Sequence, residues 1–346
     1  MPDSTKAYLF AFRHAVNIPS PALRALAAVA ADAAWLMRGS GVRMLERNYA
    51  RIHPNLTRRD IRTLSRAGMR SYTRYFCEAF TLHGLTEHQI AARVRVEGGE
   101  HIEAIASGVT GAAVALGHLG NWDLAGAWSA RNFAPVLTVA EKLQPPELYD
   151  EFVRFRRSLG IDVLGLGDDG VFSRLVDGLA DHQHRIVPLL ADRDLTARGV
   201  EVDFCGHRAR VAAGPATVAL AAQVPLIPLG VYYEKLTGSR RRDAGSPWGI
   251  VLDFHPPIPV PDEPDLDDAA KREHVKAMTQ AWVDALGRTI TAHTEDWHML
   301  QKVFIEDLDP ERYAQTLRDA QAEGDAPAAG DGQNVHESPT PQQPEE

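Results

Sequence analysis

Three observations predict an α/β protein, with a central, mostly parallel sheet flanked by helices and an N-terminal helical region in front of it. From Val94 onward, short apolar runs alternate with amphipathic stretches of about 10–15 residues, the pattern of strands covered on both faces. Before Val94 the periodicity is helical only. No segment repeats at a fixed period, which excludes solenoids and propellers. At 346 residues and 45% apolar composition the chain can bury a large core, as one large domain or two ordinary ones.

Residues 7–80 read as helices. Pro19-Ser20-Pro21 is a helix-start signal, and the Ala-rich stretch 21–37 places Leu23, Leu26, Ala30 and Ala33 near one face. Gly39-Ser40-Gly41 ends it. A second helix, 42–52, stops at His53-Pro54. A third begins near Thr57 and reaches about Leu82. Arg58, Arg59, Arg62, Arg66, Arg70 and Arg74 lie on one side of it, with Ile61, Leu64, Tyr72, Tyr75, Phe76 and Phe80 on the other. Strands are expected at 94–97, 112–116, 135–139, 161–166, 185–190, 200–204, 208–211, 226–233 and 250–255. Helices are expected at 99–107, 122–132, 146–159, 171–182, 215–223 and 268–291. Beyond Ala322 the chain has no Lys or Arg and almost nothing to bury, the composition of a disordered tail. The expected organisation is residues 1–90 as N-terminal helices of the same domain, 91–322 as the α/β core and 323–346 as the tail.

Charge is unevenly placed. Residues 1–80 hold thirteen Lys/Arg against five Asp/Glu, while the whole chain is −9. The acidic total argues against general nucleic-acid binding. The basic front end suits an anionic membrane surface or a phosphorylated ligand, unless it is simply a solvated helix face. No signal peptide is expected, and no apolar run reaches the 18 residues or so of a bilayer span. Cys77 and Cys205 stand far apart and read as buried thiols in a reducing compartment.

The chemistry concentrates in residues 111–128, GAAVALGHLGNWDLAGAW. An apolar run ends in a glycine, His118 follows, then a tight polar turn, and Asp123 stands at an expected helix start. Strand-to-helix loops are where α/β proteins carry reactive groups. A carboxylate on an imidazole fixes its tautomer and stabilises the imidazolium, so the other nitrogen can take a proton from a hydroxyl. No neighbouring Ser or Cys offers a nucleophile, and no G-x-S-x-G occurs. His118 therefore reads as a base acting on an acceptor hydroxyl. The competing reading is a satisfied histidine beside an Asp123 that caps the helix.

A second stretch, ADRDLTARGVEVDF at 191–204, follows the apolar run 186–190. Charges directly after a buried strand must be paired or hydrated, so the stretch is either an ion-pair network or a site. Asp192 is a second candidate for the carboxylate on His118, and Arg193 and Arg198 are candidates for holding phosphate or a carbonyl oxygen. Glu141-Lys142 and the amphipathic stretch 148–157 come third, with Arg154, Arg156 and Arg157 able to meet phosphates or only water. Residues 165–170 formally match G-x-G-x-x-G, but Asp168 and Asp169 would repel a pyrophosphate. His182-x-His184 and His293-x4-His298 lack a metal-ligand spacing, so no metal is expected.

HLGNWD at 118–123 resembles the H-x4-D/E block of the bacterial lysophospholipid acyltransferase superfamily, in its lipid A acyltransferase-like branch. EKLQPPELYDEFVRFRRSLGIDVL resembles the second block of that branch. LLADRDLTARGVEVDFCGHRARVAAGPATVALAAQVPLIPLGVYY resembles its third, and HTEDWHMLQKVF its closing block, written around a Glu-x-Trp core. The resemblance spans about residues 5–308. Asp123 and the phrase ADRDLT make it most similar to the phosphatidylinositol mannoside acyltransferases. It implies a glycerol-3-phosphate acyltransferase-like fold and transfer of a long acyl group, usually palmitoyl, from acyl-CoA to a mannose 6-hydroxyl of a phosphatidylinositol mannoside. The implied location is the cytoplasmic face of the plasma membrane, as a peripheral protein on anionic lipid, with no cofactor beyond acyl-CoA as co-substrate. It implies His118 as proton acceptor, Asp123 as part of its motif and Asp192 as relay partner, with Glu201 as the alternative relay. Glu141, Arg156 and Arg198 would be substrate-site positions. Another lipid acceptor, acyl carrier protein as donor, or a non-catalytic lipid-binding role remain as alternatives.

Overall fold

The chain folds around a seven-stranded sheet whose buried centre is set by small residues. The structure, a computed structural model, describes residues 18–142, 146–180, 184–196, 198–263 and 266–325. The helix expected at 7–17, His182 and the tail from 326 onward lie outside the described residues.

Helices α1 (Ser20–Met37), α2 (Ser40–Ile52) and α3 (Arg58–Thr81) come first. Thr57 and Asp60 form a capping box at the start of α3, each accepting the other's backbone N–H. A second capping box, Thr86 with Gln89, starts α4 (Glu87–Arg93). That helix was not expected, although T-x-x-Q is visible in the sequence. The core then runs β1 (Val94–Glu97), α5 (Glu103–Ala106), β2 (Ala112–Leu116), α6 (Trp122–Asn132), β3 (Val136–Ala140), α7 (Pro146–Ser158), β4 (Ile161–Gly165), α8 (Val171–Ala180) and β5 (Ile186–Leu190). After these come β6 (Val200–Phe204), β7 (His207–Val211), α9 (Gly214–Ala222), β8 (Leu226–Lys235), α10 (Gly238–Ala244), β9 (Trp248–Phe254), α11 (Asp268–Ala292) and α12 (Pro310–Asp325). The helix expected over 99–107 is instead a 3₁₀ turn at Gly99–His101 followed by the single-turn α5. The helices α10 and α12 were not expected.

The strand order is β1-β9-β8-β2-β5-β3-β4, parallel throughout except for the β8–β9 pair. β6 and β7 form a separate hairpin. Its two-residue turn, Cys205-Gly206, has φ of 54° and 82°, the geometry that matches strand twist in tight hairpins. β2 is buried on both faces, and its side chains alternate between two cores. Ala113 and Ala115 join the core formed with α1, α2, α8, α9 and α11. Val114 and Leu116 join the one formed with α4, α6 and α7.

The arginine face of α3 is largely committed to intramolecular contacts. Arg66 and Arg70 both clamp Asp32 of α1, at 2.5 and 2.6 Å, and hold its carboxyl well below the usual range. Arg62 pairs with Glu46 of α2 and lies over the Trp35 ring, and Arg74 lies over Trp248 and Tyr233. The solvent-facing side of α1 is apolar instead: Leu26, Val29, Leu36 and Met37 are all exposed, Met37 by 78%. Among the described residues no helix is long and apolar enough to cross a membrane.

Candidate active site

The C-terminal ends of adjacent strands in a parallel sheet converge, and here they carry the charged residues singled out in the sequence. His118 follows β2, Asp192 follows β5 and Glu141 follows β3. The loop after β2 is shaped by two glycines. Gly120 has φ +61°, and a Cβ there would sit 2.3 Å from the Val231 carbonyl oxygen. A Cβ on Gly117 would come within 3.1 Å of Asp192 Oδ2, so its absence lets that carboxylate approach.

Asp192 is the carboxylate on the imidazole. His118 Nδ1 lies 2.6 Å from Asp192 Oδ1, and the His118 backbone N–H donates to Asp192 Oδ2 at 3.0 Å. Asp192 is completely buried, whereas the His118 side chain keeps 42% exposure. With Nδ1 engaged, Nε2 is the nitrogen left for a ligand. Burial opposes the imidazolium, but Asp192's charge and hydrogen bond outweigh it and raise His118 above its ordinary 6.5. Burial likewise pushes the Asp192 carboxyl up. The charge and hydrogen bond of His118, with a bond from the Trp297 indole, overcome this and hold it below 3.8.

Asp123 does something else. The reading in which it backs His118 from four residues away is corrected: its two oxygens face Tyr75 Oη at 2.9 Å and Arg156 Nε at 3.1 Å. The turn before α6 swings its side chain away from the imidazole. It is not the cap either. Asn121 caps α6 by accepting from the Leu124 N–H and donates to Glu78. Arg156 is itself buried and lies 4.4 Å over the Trp122 ring.

Glu201 lies away from this pair, where Arg208 and Tyr313 Oη donate to it. Glu141, Arg156, Arg193 and Arg198 line one cavity together with His118. Its volume is about 550 Å³, within the range of small-molecule sites. Its walls include apolar residues, among them Leu116, Ile161, Leu229 and Phe254, with Gly126. Of the three arginines on α7 only Arg156 reaches it. Arg154 is exposed and paired with Glu151, and Arg157 lines a separate depression. Asp168 accepts from the Gly165 N–H and pairs with Lys142, which occupies the turn a dinucleotide would need. His293 stacks on Tyr232, while His298 meets Ser71 at 2.9 Å and burial pushes it down to about 3.

Sequence reasoning gave no role to Tyr75 or Trp297. Tyr75 read as one more residue of an apolar helix face. Trp297 was visible only as part of a motif block, with nothing to connect it to Asp192.

The profile of the bacterial lipid A biosynthesis acyltransferases matches residues 4–305. The chain belongs to that family. Like other lipid A acyltransferase-family members, it is therefore an acyltransferase. A phosphatidylinositol mannoside acyltransferase of Mycolicibacterium smegmatis is 37% identical over 286 residues, 82% of this chain and 86% of its own. One of Mycobacterium tuberculosis is 36% identical over 287 residues, 82% and 83% respectively. A solved 1-acyl-sn-glycerophosphate acyltransferase from Thermotoga maritima shares 15% identity at a TM-score of 0.32. It covers 64% of this chain and 86% of its own, a likeness too loose to support any assignment.

Proposed function

We propose that this acyltransferase moves a long-chain acyl group, palmitoyl, from acyl-CoA to a mannose 6-hydroxyl of a phosphatidylinositol mannoside, with His118 as general base. The observation that carries the reading is a histidine fixed by a buried carboxylate on the wall of a largely apolar cavity. The names of the two mycobacterial relatives support the acceptor.

A thioester is already activated, so no acyl-enzyme is needed. The acceptor hydroxyl gives its proton to His118 Nε2 as its oxygen bonds to the thioester carbon. The oxyanion that forms is stabilised by Arg193 and Arg198, cations that line the same cavity as His118. Collapse breaks the C–S bond, and His118 returns the proton to the CoA thiolate. Asp192 supports the imidazolium in between. The acyl chain lies along the apolar walls, while Glu141 and Arg156 border the donor. Asp123 acts by holding Arg156 and Tyr75. No resident cofactor or metal takes part.

Acceptor and product both stay in lipid, and the enzyme works as a peripheral protein on the cytoplasmic face of the plasma membrane. The exposed apolar stripe of α1 supports docking by shallow insertion. The test is incubation of purified protein and its His118→Ala variant with palmitoyl-CoA and a panel of lipid acceptors, read by mass spectrometry. The expected product is a palmitoylated phosphatidylinositol mannoside from the unaltered protein alone. Acylation of lysophospholipids only, or transfer that survives in the variant, would overturn the reading.

A further inference from the structure

We infer that Trp297 is a positioning residue, whose indole N–H holds the Asp192 carboxylate in the orientation that presents it to His118. This rests on the base role proposed above. Trp297 Nε1 donates to Asp192 Oδ2 at 2.9 Å, and both residues are fully buried. Asp192 therefore receives three N–H groups: His118 Nδ1 on one oxygen, and the His118 backbone and the Trp297 indole on the other. An indole can only donate. A donor fixed on Oδ2 suits an ionised carboxylate and prevents it from rotating to offer the histidine its other oxygen.

The backbone around Trp297 is pinned to the same loop. Leu119 and Trp297 form an antiparallel bridge, Gly120 N–H donates to the Asp296 carbonyl at 2.9 Å, and His298 N–H donates to the His118 carbonyl at 2.7 Å. Tyr49 Oη donates to the Trp297 carbonyl, and the Trp297 ring packs against Phe204 with centroids 5.6 Å apart. One three-residue segment thus sets both the path of the histidine loop and the direction of the carboxylate. Trp297 does not line the cavity, so its effect on a substrate passes through Asp192 and His118.

The indole draws part of Asp192's charge away from the imidazole. Removing that donor leaves more charge facing His118, which then holds its proton to higher pH. The other charged or titratable groups near His118 are Glu141, Tyr149, Arg156, Arg193, Asp194 and Arg198, which line the same cavity, and His298, the residue after Trp297.

The experiment compares Trp297→Phe with Phe204→Leu, which loosens the packing but keeps the N–H. If Trp297→Phe does not fold, β-(3-benzothienyl)alanine at position 297 keeps the two-ring shape and removes only the N–H. The readouts are the NMR titration of ¹⁵N-labelled His118 and the pH profile of kcat/KM with palmitoyl-CoA. The expected result for the variant lacking the N–H is a His118 titration moved up by about 0.5–1 pH unit. With it come a kcat reduced roughly 10- to 100-fold and an unchanged KM for palmitoyl-CoA. Phe204→Leu should leave the titration in place. An unmoved His118 titration without the N–H, or an equal shift in Phe204→Leu, would overturn the inference. The NMR titration needs no turnover. A shift seen in a protein that transfers no acyl group would therefore reject the catalytic reading while leaving the positioning contact standing.

Discussion

Replacing Asp192 by Asn should disable the base by choosing the wrong tautomer. Both oxygens of Asp192 accept: Oδ1 faces His118 Nδ1, and Oδ2 receives two N–H groups. Asn offers one acceptor and one NH₂. With its oxygen kept on the two N–H donors, its NH₂ must donate to Nδ1, which drives the imidazole proton to Nε2. That nitrogen can then accept nothing. The opposite orientation preserves the working tautomer but leaves two buried N–H groups facing an NH₂, at about 1–3 kcal/mol each. The wrong tautomer is therefore favoured by about 2–6 kcal/mol, so roughly one molecule in 30 to one in 10⁴ retains a working base. The expected loss in kcat is of that size, measured as transfer of labelled palmitoyl from palmitoyl-CoA to the glycolipid acceptor, with circular dichroism melting as the folding control. A folded Asp192→Asn protein within about threefold of full activity would refute the tautomer argument.

Activity should rise with pH along a limb whose midpoint lies above 6.5, because His118 must be neutral to act and Asp192 raises its pKa; a pH series of kcat/KM checks this. The linked stability has two edges: the His118 contribution is complete below 6.5 and is lost as pH rises through its raised value. The Asp192 contribution is present above 3.8 and is lost as pH falls through its lowered one. Arg156→Met leaves Asp123 buried with only Tyr75 on it, so it should cost about 3–5 kcal/mol by denaturant titration without moving the limb. Gly126→Val should shorten the accepted acyl chain. A Cβ there already comes within 2.7 Å of Ile161, and each methylene displaced is worth about 0.8 kcal/mol. Palmitoyl-CoA should lose roughly 15- to 60-fold against a donor two to three carbons shorter in a competition assay. Leu26→Glu with Val29→Glu should weaken binding to anionic vesicles by about 30-fold or more in a sedimentation assay. Added salt should matter less, since Arg66 and Arg70 are already paired with Asp32.

What the sequence makes legible follows from how far each physical signal reaches. The strands are short apolar runs bounded by turns, a local signal, and their boundaries fall within two residues of those observed. The capping box of α4 is equally local and was available to be read. Side-chain direction after a turn is not local. Four residues separate His118 from Asp123, yet the left-handed Gly120 and the Asn121 cap turn Asp123 toward α3 and α7. Charge directly after a buried strand singled out Asp192, which is buried and must find donors. Which donors those are depends on a residue 105 positions later. The arginines of α3 read as a membrane-docking or ligand-binding face, or else a solvated stripe, because nothing in their spacing reveals Asp32 on the facing helix.

The closing segment at 296–298 has a consequence for the order in which the protein comes into being. Asp192 leaves the ribosome 105 residues before the indole that covers it. At about 5–20 residues per second, that interval is roughly 5–20 s. During it the sheet strands after β5 are still being made, and the histidine loop lacks the segment that fixes its path. A nascent chain ending at Ala292 would carry His118, Asp123 and Asp192 without the indole and backbone contacts that 296–298 supply. The His118–Asp192 pair therefore gains its full set of hydrogen-bond donors only when the segment at 296–298 has been made.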